Sequence, residues 1–209
     1  MAPLSQLPGV ELPAKFGEID IYLFDQLLRG HFDQRPRVLD AGCGDGRNLI
    51  YLLRRGFTCF GIDRDPAAID RLRACAAQLA PALPPTNFQA GEIDHLPWAD
   101  ASVDAVICSA VLHFASDEAH FDRLCAEMWR VLAVDGMFFA RLASNIGIED
   151  LVGAAGRRVR LPDGSERFVV DQALLLDATT RLGGQWLDPI KTTNVQRQRC
   201  MTTWCVRKP

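Results

Sequence analysis

The stretch VLDAGCGDGRN, residues 38–48, places a short apolar run directly before three alternating glycines. An apolar run, a glycine-rich turn and a following helix are typical of the point in a parallel sheet where ligands bind. The spacing Gly42-x-Gly44-x-Gly46 differs from the G-x-G-x-x-G spacing of dinucleotide-binding turns. Asp40, two residues before the turn, would repel a phosphate and attract a cation. We therefore expect a ligand that is positively charged near this turn.

The segments on either side of this turn alternate between short apolar runs and helical patterns. Strands are predicted at RVLDA (37–41), FTCFGID (57–63), TNFQA (86–90), SVDAVICSA (102–110) and GMFFARLA (136–143). Helical spacing of apolar residues predicts helices after the glycine turn, from Pro66 to Leu79 and over residues 121–132. Nearly continuous apolar strands between helices indicate a parallel sheet covered on both faces. The expected fold class is α/β, doubly wound.

Both ends of the chain depart from this alternation. Residues 1–15 contain three prolines and are expected to form an irregular arm, followed by a helix with apolar residues at positions 23–28. The Asp163-Gly164 step predicts a hairpin turn, and a helix is expected over residues 171–182. QWLDPIKTTNVQ and RCMTTWCVRK then predict two antiparallel edge strands.

These patterns give a single domain with a mostly parallel seven-stranded sheet and an antiparallel C-terminal edge. Its parts are an N-terminal arm and helix (1–35), a core (36–143), an insertion (144–170), and a last helix with the antiparallel strands (171–209).

The composition narrows the class of protein. A chain of 209 residues with 48% apolar residues is long enough for one buried core, and its net charge of −3 disfavours a nucleic acid partner. No apolar run is long enough to span a membrane, and MAPLSQLPGVELP lacks the regions of a signal peptide, so we expect a cytoplasmic protein with no membrane partner. Seven scattered cysteines without C-x-x-C spacing predict neither disulfides nor a metal site. The composition leaves the oligomeric state open.

A second carboxylate refines the expected ligand. Asp63 ends the second strand 23 residues after Asp40, close to the separation at which a carboxylate binds ribose hydroxyls in doubly wound folds. The alternative is that Asp63 only caps the next helix. Two acids beside a glycine turn predict a nucleoside with a cationic tail, and S-adenosylmethionine is such a molecule.

Four segments carry a resemblance to a known family. VLDAGCGDGRN, GIDRDPAAI, GEIDHLPWADASVDAVICSAVLHF and EMWRVLAVDGMFF resemble the successive motifs of class I S-adenosylmethionine-dependent methyltransferases. The resemblance covers residues 36–143, and the two terminal strands are similar to the family's antiparallel end. GCGDGRN is similar to the tellurite-resistance-like branch, which acts on small molecules.

The resemblance implies a cofactor site at the glycine turn. Gly42, Cys43 and Gly44 would lie against the cofactor backbone, with Asp40 near its amino group. Asp63 would hold the ribose hydroxyls.

The resemblance also implies contacts with the adenine and the cofactor carboxylate. Arg64 would lie over the adenine. Glu92 stands where the family has an aspartate that accepts from the adenine amino group, and the Ile93 amide would meet a ring nitrogen. Arg47 would pair with the cofactor carboxylate, or else remain a solvated helix residue. The other predicted cofactor residues are Asn48, beside Arg47, and Ser109, at the end of the fourth strand.

The candidate catalytic residue is His113 in SAVLHF. The carboxyl ends of parallel strands line the ligand crevice, and a neutral imidazole can take a proton from an acceptor. The alternative is a packed histidine, since positioning and exclusion of water can supply much of the catalysis of methyl transfer. His31, His95 and His120 are expected on the surface. The resemblance implies that the N-terminal helix is a lid over the cofactor. Tyr22, on this helix, either borders the site or packs in the core.

The insertion offers a candidate for acceptor binding. Arg157, Arg158, Arg160 and Arg167 cluster there, and they would attract an acidic acceptor such as a carboxylate or an oxyanion. The alternative is a solvated hairpin with ordinary surface charge.

The predicted function is methyl transfer from S-adenosylmethionine to a small-molecule acceptor. An RNA or protein acceptor is an alternative, although CSAVLHF lacks the Asn/Asp-Pro-Pro-aromatic stretch of enzymes that methylate adenine or glutamine. A non-catalytic S-adenosylmethionine-binding protein is another. Asp40 and the glycine spacing disfavour a nucleotide-dependent oxidoreductase.

Overall fold

The computed structural model describes residues 11–152 and 156–209. Within them ten strands and six α-helices form an α/β fold around one main sheet. The strands are β1 (Arg37–Ala41), β2 (Thr58–Asp63), β3 (Phe88–Ala90), β4 (Val103–Ser109), β5 (Leu132–Ser144), β6 (Arg158–Arg160), β7 (Glu166–Phe168), β8 (Gln185–Trp186), β9 (Lys191–Val195) and β10 (Arg199–Arg207). The helices are α1 (Glu11–Phe16), α2 (Ile21–Leu28), α3 (Ile50–Arg54), α4 (Pro66–Leu79), α5 (Glu118–Val131) and α6 (Gln172–Arg181).

The main sheet has the strand order β3-β2-β1-β4-β5-β10. The first five strands are parallel, and β10 is antiparallel to β5. The chain moves outward from β1 to β2 and β3 on one side, and to β4 and β5 on the other. The reversal of direction beside β1 opens a crevice at the carboxyl ends of β1 and β4. The doubly wound α/β prediction is confirmed.

The C-terminal edge of the sheet differs in detail from the expected seven strands. One edge of β10 pairs with both β8 and β9, which occupy its two halves, so the sheet has eight strands at seven positions. The segment QWLDPIKTTNVQ was expected to be one strand, but Pro189 interrupts it. A proline has no backbone N–H to donate to the sheet ladder.

The two faces of the sheet carry separate apolar cores. Val106 and Cys108 of β4 belong to a cluster with α5 and α6, whereas Ala105 and Ile107 belong to a cluster with α2, α3 and α4. This alternation follows from the two-residue period of side chains along a strand. Trp204 of β10 is fully buried in the first cluster. Helices on both faces therefore hold the strand ends in place.

The N-terminal arm is more regular than the sequence predicts. Residues 1–10 lie outside the described residues, but residues 11–16 form α1, where an irregular segment was expected. Pro13 lies in the first turn of α1, where its missing N–H removes no intrahelical hydrogen bond. The Asp163-Gly164 hairpin is confirmed, because β6 and β7 pair antiparallel on either side of it.

In residues 11–152 and 156–209, every helix is too short or too polar to cross a membrane.

Candidate cofactor-binding site

A cavity of about 450 Å³ lies at the carboxyl ends of β1, β2 and β4. Nine of the twelve predicted site residues line it. They are Gly42, Cys43, Gly44, Arg47, Asp63, Arg64, Glu92, Ile93 and Ser109. The other three, Asp40, Asn48 and His113, are buried beside it. The fold therefore brings together residues that are far apart in the chain.

Two positions of the turn, 42 and 44, are occupied by glycine for different reasons. Gly42 has a φ of +80°, and a Cβ on it would lie 2.3 Å from a methyl carbon of Val111, so no side chain fits there. Gly44 has a φ of +53°, and a Cβ on it would meet nothing within 4 Å. The first glycine is required by packing inside the protein. The second leaves open space on the cavity side of the turn.

Asp63, at the end of β2, holds this turn. Its carboxylate accepts the N–H of Gly44 at 2.8 Å and the N–H of Asp65 at 3.0 Å. A carboxylate has about four acceptor positions, so lone pairs remain for a ligand's hydroxyls. The alternative role of Asp63 as a helix cap falls instead to Asp65, which accepts the N–H of Ala67 at the start of α4.

Asp40, at the end of β1, is an isolated buried carboxylate. Its side chain is 1% exposed, and neither oxygen has a hydrogen-bond partner. Burial raises the pKa of Asp40 to about 7, and the charge of Asp63 adds to the rise. Arg47 and Asn48 oppose the rise from nearby, but neither makes a hydrogen bond of normal geometry to the carboxylate. The fold therefore holds a buried acid, only partly compensated by Arg47 and Asn48, directly behind the glycine turn.

Cys43, within the turn, is not a nucleophile. It is 4% exposed, and burial, followed by the charges of Asp40 and Asp63, raises the pKa of its thiol well above the usual range. The thiolate is the reactive form of cysteine. The side chain therefore packs beneath the turn as a small apolar group.

The start of α2 is tied to the site through Asp20. Its buried carboxylate caps α2 by accepting the N–H of Tyr22, and it also accepts Ser109 Oγ at 3.2 Å and an Arg141 nitrogen at 3.1 Å. The Asp20 N–H donates to Asn48 Oδ1 at 3.0 Å. Asn48 therefore connects the glycine turn to the start of α2. Ser109, predicted to contact the cofactor, lines the cavity and also donates to Asp20.

Arg47 also lines the cavity and lies near the segment that precedes α2. Its guanidinium nitrogens lie 3.4 Å from the Glu18 carbonyl oxygen and 3.4 Å from Ser109 Oγ. Both contacts are long for hydrogen bonds. The guanidinium is therefore weakly held and can turn toward an anion in the cavity.

The part of the cavity beyond Asp63 contains the predicted adenine residues. Glu92 is exposed and Ile93 is 8% exposed, and both line the cavity. Arg64, predicted to lie over the adenine, has its guanidinium carbon 5.9 Å from the centre of the Phe114 ring. The sequence prediction missed Phe114, which lines the cavity and is 49% exposed.

His113 lies outside the cavity lining. Its side chain is 6% exposed, and Nδ1 has no hydrogen-bond partner. Burial and the charge of Arg167 lower the pKa of His113 to about 4, so the imidazole is neutral at pH 7. Its ring packs edge-on against Phe114 at 4.6 Å. The catalytic role of His113 stays a prediction.

His120 was expected on the surface, but it lines the cavity and is half-buried. Its Nδ1 accepts the N–H of Ser116 at 3.1 Å, so the neutral ring carries its proton on Nε2. In that tautomer His120 can donate a hydrogen bond to a ligand. The sequence signal that could have placed His120 at the cavity is its position three residues after the capping residue Asp117, because the first turn of α5 faces the strand ends.

Comparisons with known proteins agree with this geometry. Residues 39–140 match the family described as "Methyltransferase domain". An uncharacterized methyltransferase of Bacillus subtilis, YodH, is 32% identical over 134 residues, which cover 64% of this chain and 49% of that protein. A probable S-adenosylmethionine-dependent methyltransferase of Mycolicibacterium smegmatis is 31% identical over 109 residues, which cover 52% of this chain and 38% of that protein. The chain spans about half, or less, of the length of the curated relatives it matches.

A solved structure shares the fold. It is the 1,6-didemethyltoxoflavin-N1-methyltransferase of Burkholderia thailandensis, with bound 1,6-didemethyltoxoflavin and S-adenosylhomocysteine. The TM-score is 0.68 at 18% identity, over 93% of this chain and 80% of that chain. The chain is therefore similar in sequence, over residues 39–140, to a methyltransferase domain and to S-adenosylmethionine-dependent methyltransferases, and it shares the fold of a methyltransferase.

Proposed function

We propose that this protein transfers a methyl group from S-adenosylmethionine to a small-molecule acceptor. The observation that carries the proposal is the buried Asp40 carboxylate, which has no partner and lies directly behind a glycine turn. An ammonium group near it would supply the missing charge and restore the ionised carboxylate. The cofactor carries such a group, so the residues present fit it.

The proposed cofactor contacts use the hydrogen-bonding groups and the open space that the protein's own contacts leave unoccupied. Asp63 has acceptor positions left after binding two backbone N–H groups, and these would hold the ribose. Glu92 and the Ile93 amide would contact the adenine. The loosely held Arg47 would bind the cofactor carboxylate, and the open space at Gly44 would let the cofactor approach the backbone.

When bound, the cofactor supplies a methyl group on a positively charged sulfur. The residues of this chain then orient the acceptor and exclude water, and these effects can supply a large share of the catalysis. The Asp20 contacts hold the lid helix against the end of β4, which favours exclusion of water. His120 is available to donate a hydrogen bond from Nε2. His113, the predicted base, is neutral at pH 7 and so is in the form that accepts a proton.

A small acceptor is supported by the size of the site. Small-molecule pockets are usually about 300–1,000 Å³, and this cavity of about 450 Å³ is at the lower end of that range. The net charge of −3 gives no general attraction to nucleic acid. The narrower resemblance of GCGDGRN to the tellurite-resistance-like branch stays a prediction, as does the cytoplasmic location.

Thermal unfolding with and without ligand tests the cofactor assignment. S-adenosylhomocysteine at about 100 times its Kd should raise the melting temperature by roughly 5–10 °C, and NADH should not. Asp63→Ala should abolish the shift, whereas Asp70→Ala, an exposed acid on α4, should keep it. No shift, or a shift with NADH alone, would contradict the proposal.

Transfer of a radiolabelled methyl group distinguishes an enzyme from a binding protein. Small acceptors, RNA and protein are supplied in parallel with labelled S-adenosylmethionine. Label in the small molecules supports the proposal. Label in RNA or protein alone contradicts the acceptor class, and cofactor binding with no transfer to any acceptor indicates a binding protein.

A further inference from the structure

We propose that the acceptor combines an aromatic body with an anionic group, and that Phe114, Arg167 and Arg64 bind it at the rim of the cavity. This inference rests on the proposed function, since it names the class of molecule that is methylated. It assigns a role to an exposed aromatic ring and to two arginines, and it moves Arg64 from the adenine contact expected from the sequence to the acceptor.

Phe114 presents an aromatic ring that the protein covers only in part. It lies in the turn Leu112–Phe114 after β4, lines the cavity and is 49% exposed. Its backbone is held by the hydrogen bond from its N–H to the Val111 carbonyl, and its ring edge packs on the buried His113. A half-exposed aromatic ring that is fixed at a cavity rim gains free energy when a planar ligand covers it.

Two positive charges converge on this ring. The guanidinium carbon of Arg167 lies 5.0 Å from the ring centre, and that of Arg64 lies 5.9 Å from it. Both distances are within the range of a cation–π contact. Like charges gathered around one ring repel each other, and an anion placed between them removes that repulsion.

Neither guanidinium is neutralised by an acidic side chain. Within residues 11–152 and 156–209, neither Arg64 nor Arg167 forms an ion pair, and Arg167 donates only to the Glu166 carbonyl oxygen at 2.8 Å. Asp163, the carboxylate that feels the charge of Arg167, is already bound by the N–H and hydroxyl of Ser165. Unpaired guanidiniums beside a cavity are the usual binding groups for carboxylates.

Two other arginines of the insertion form ion pairs within the protein. Of the four arginines expected to attract an acidic acceptor, the proposal therefore uses only Arg167. Arg157 pairs with Glu118 and Asp171, and Arg158 pairs with Glu166 and also donates to the Ala115 carbonyl. These contacts anchor the β6–β7 hairpin against α5 and the turn after β4. Arg160 is exposed on β6. The hairpin is therefore held in place and presents Arg167 to the ring.

The charge distribution of the cavity also orients the acceptor. Asp63 and Glu92 lie at the cofactor end, where they repel an anion. The rim beside Phe114 has two guanidiniums, and the buried His113 is neutral at pH 7 because its pKa is lowered to about 4. An acceptor with one anionic group would place that group at the rim and its remaining body toward the cofactor.

Binding of matched probe pairs tests this site. Benzoate and 1-naphthoate are titrated against their neutral amides, benzamide and 1-naphthamide, with and without S-adenosylhomocysteine. The naphthoate should bind at least tenfold more tightly than its amide, and Arg167→Gln should remove roughly that factor, since a charge-assisted hydrogen bond is lost. Arg160→Gln, on the same hairpin, should keep it. Phe114→Leu should weaken the acid and the amide by similar factors.

The outcomes separate this inference from the proposed function. S-adenosylhomocysteine affinity is measured on the same samples, and Arg167→Gln should leave it unchanged. Equal binding of acids and amides, no binding of either, or equal losses in Arg167→Gln and Arg160→Gln would overturn the inference while cofactor binding stands. Arg167-dependent binding of the acids without cofactor binding would overturn the methyltransferase proposal and leave an anion site.

Discussion

Replacement of Asp40 by asparagine should change how stability depends on pH. The carboxylate has a pKa of about 7 in the folded protein, against about 3.9 in an unfolded chain. Between these values the folded state holds a proton that the unfolded state has lost. The free energy of unfolding therefore falls as pH rises, by about 1.4 kcal/mol per pH unit and roughly 4 kcal/mol in all. An asparagine side chain cannot ionise, so Asp40→Asn should lose this contribution.

The measurement is a comparison of melting temperatures between pH 5 and pH 8. Wild type should lose roughly 3 kcal/mol relative to Asp40→Asn over this range, which corresponds to a relative change of about 5–10 °C for a chain of this size. The comparison of two proteins at each pH cancels the other titrating groups. Asp45→Asn, which removes an exposed acid from the same turn, should follow wild type. A constant difference between Asp40→Asn and wild type would refute the argument.

The same carboxylate should make cofactor binding depend on pH. A ligand ammonium binds the ionised form of Asp40, so between pH 5 and pH 7 the affinity of wild type for S-adenosylhomocysteine should rise by up to about tenfold per pH unit. Binding in this range should release a proton, which calorimetry in buffers of different ionisation enthalpy detects. Asp40→Asn should bind weakly and without this pH dependence. An affinity in wild type that does not change with pH would show that no cationic group binds near Asp40.

Three further substitutions test how the site is supported. Gly42→Ala should cost roughly 2–4 kcal/mol, measured by denaturant unfolding, because a positive φ and a steric overlap add; Gly44→Ala should cost about 1 kcal/mol but still block S-adenosylhomocysteine binding. Asp20→Ala should cost roughly 2–3 kcal/mol in the same assay, because a helix cap and an ion pair are lost together; Asp65→Ala, which removes a helix cap on α4, should cost less. Trp204→Ala, in the fully buried core, should lower the free energy of unfolding by about 3–5 kcal/mol without changing which ligands bind.

The parts of the site that could be predicted from the sequence depend on local chemistry. Gly42, Gly44 and Asp63 are specified by residue type and by their position at the ends of consecutive strands, so a pattern over adjacent residues identifies them. The proximity of Asp40 to the turn follows in the same way. Its isolation does not, because the absence of a hydrogen-bond partner depends on every element packed around it.

The parts that were missed depend on contacts between distant segments. Asp20 contacts Arg141, which lies 121 positions further along the chain. Arg167 lies over Phe114 because a hairpin folds back onto the turn after β4. No residue pattern in either segment specifies its partner. His120 was misplaced for a different reason, because its position in the first turn of α5, next to the strand ends, was not used in the prediction.

The two halves of the proposed site also have different origins in the chain. The proposed cofactor contacts come from successive strand-to-helix turns within residues 39–140, the segment that matches the methyltransferase domain family. Arg167 and Asp20, the capping residue of α2, lie outside that segment. Relatives that match only this segment therefore inform the cofactor contacts and leave the acceptor undetermined. Exchange of the β6–β7 hairpin between relatives should accordingly change which acceptor binds while cofactor affinity is preserved, since the hairpin contributes no residue to the proposed cofactor contacts.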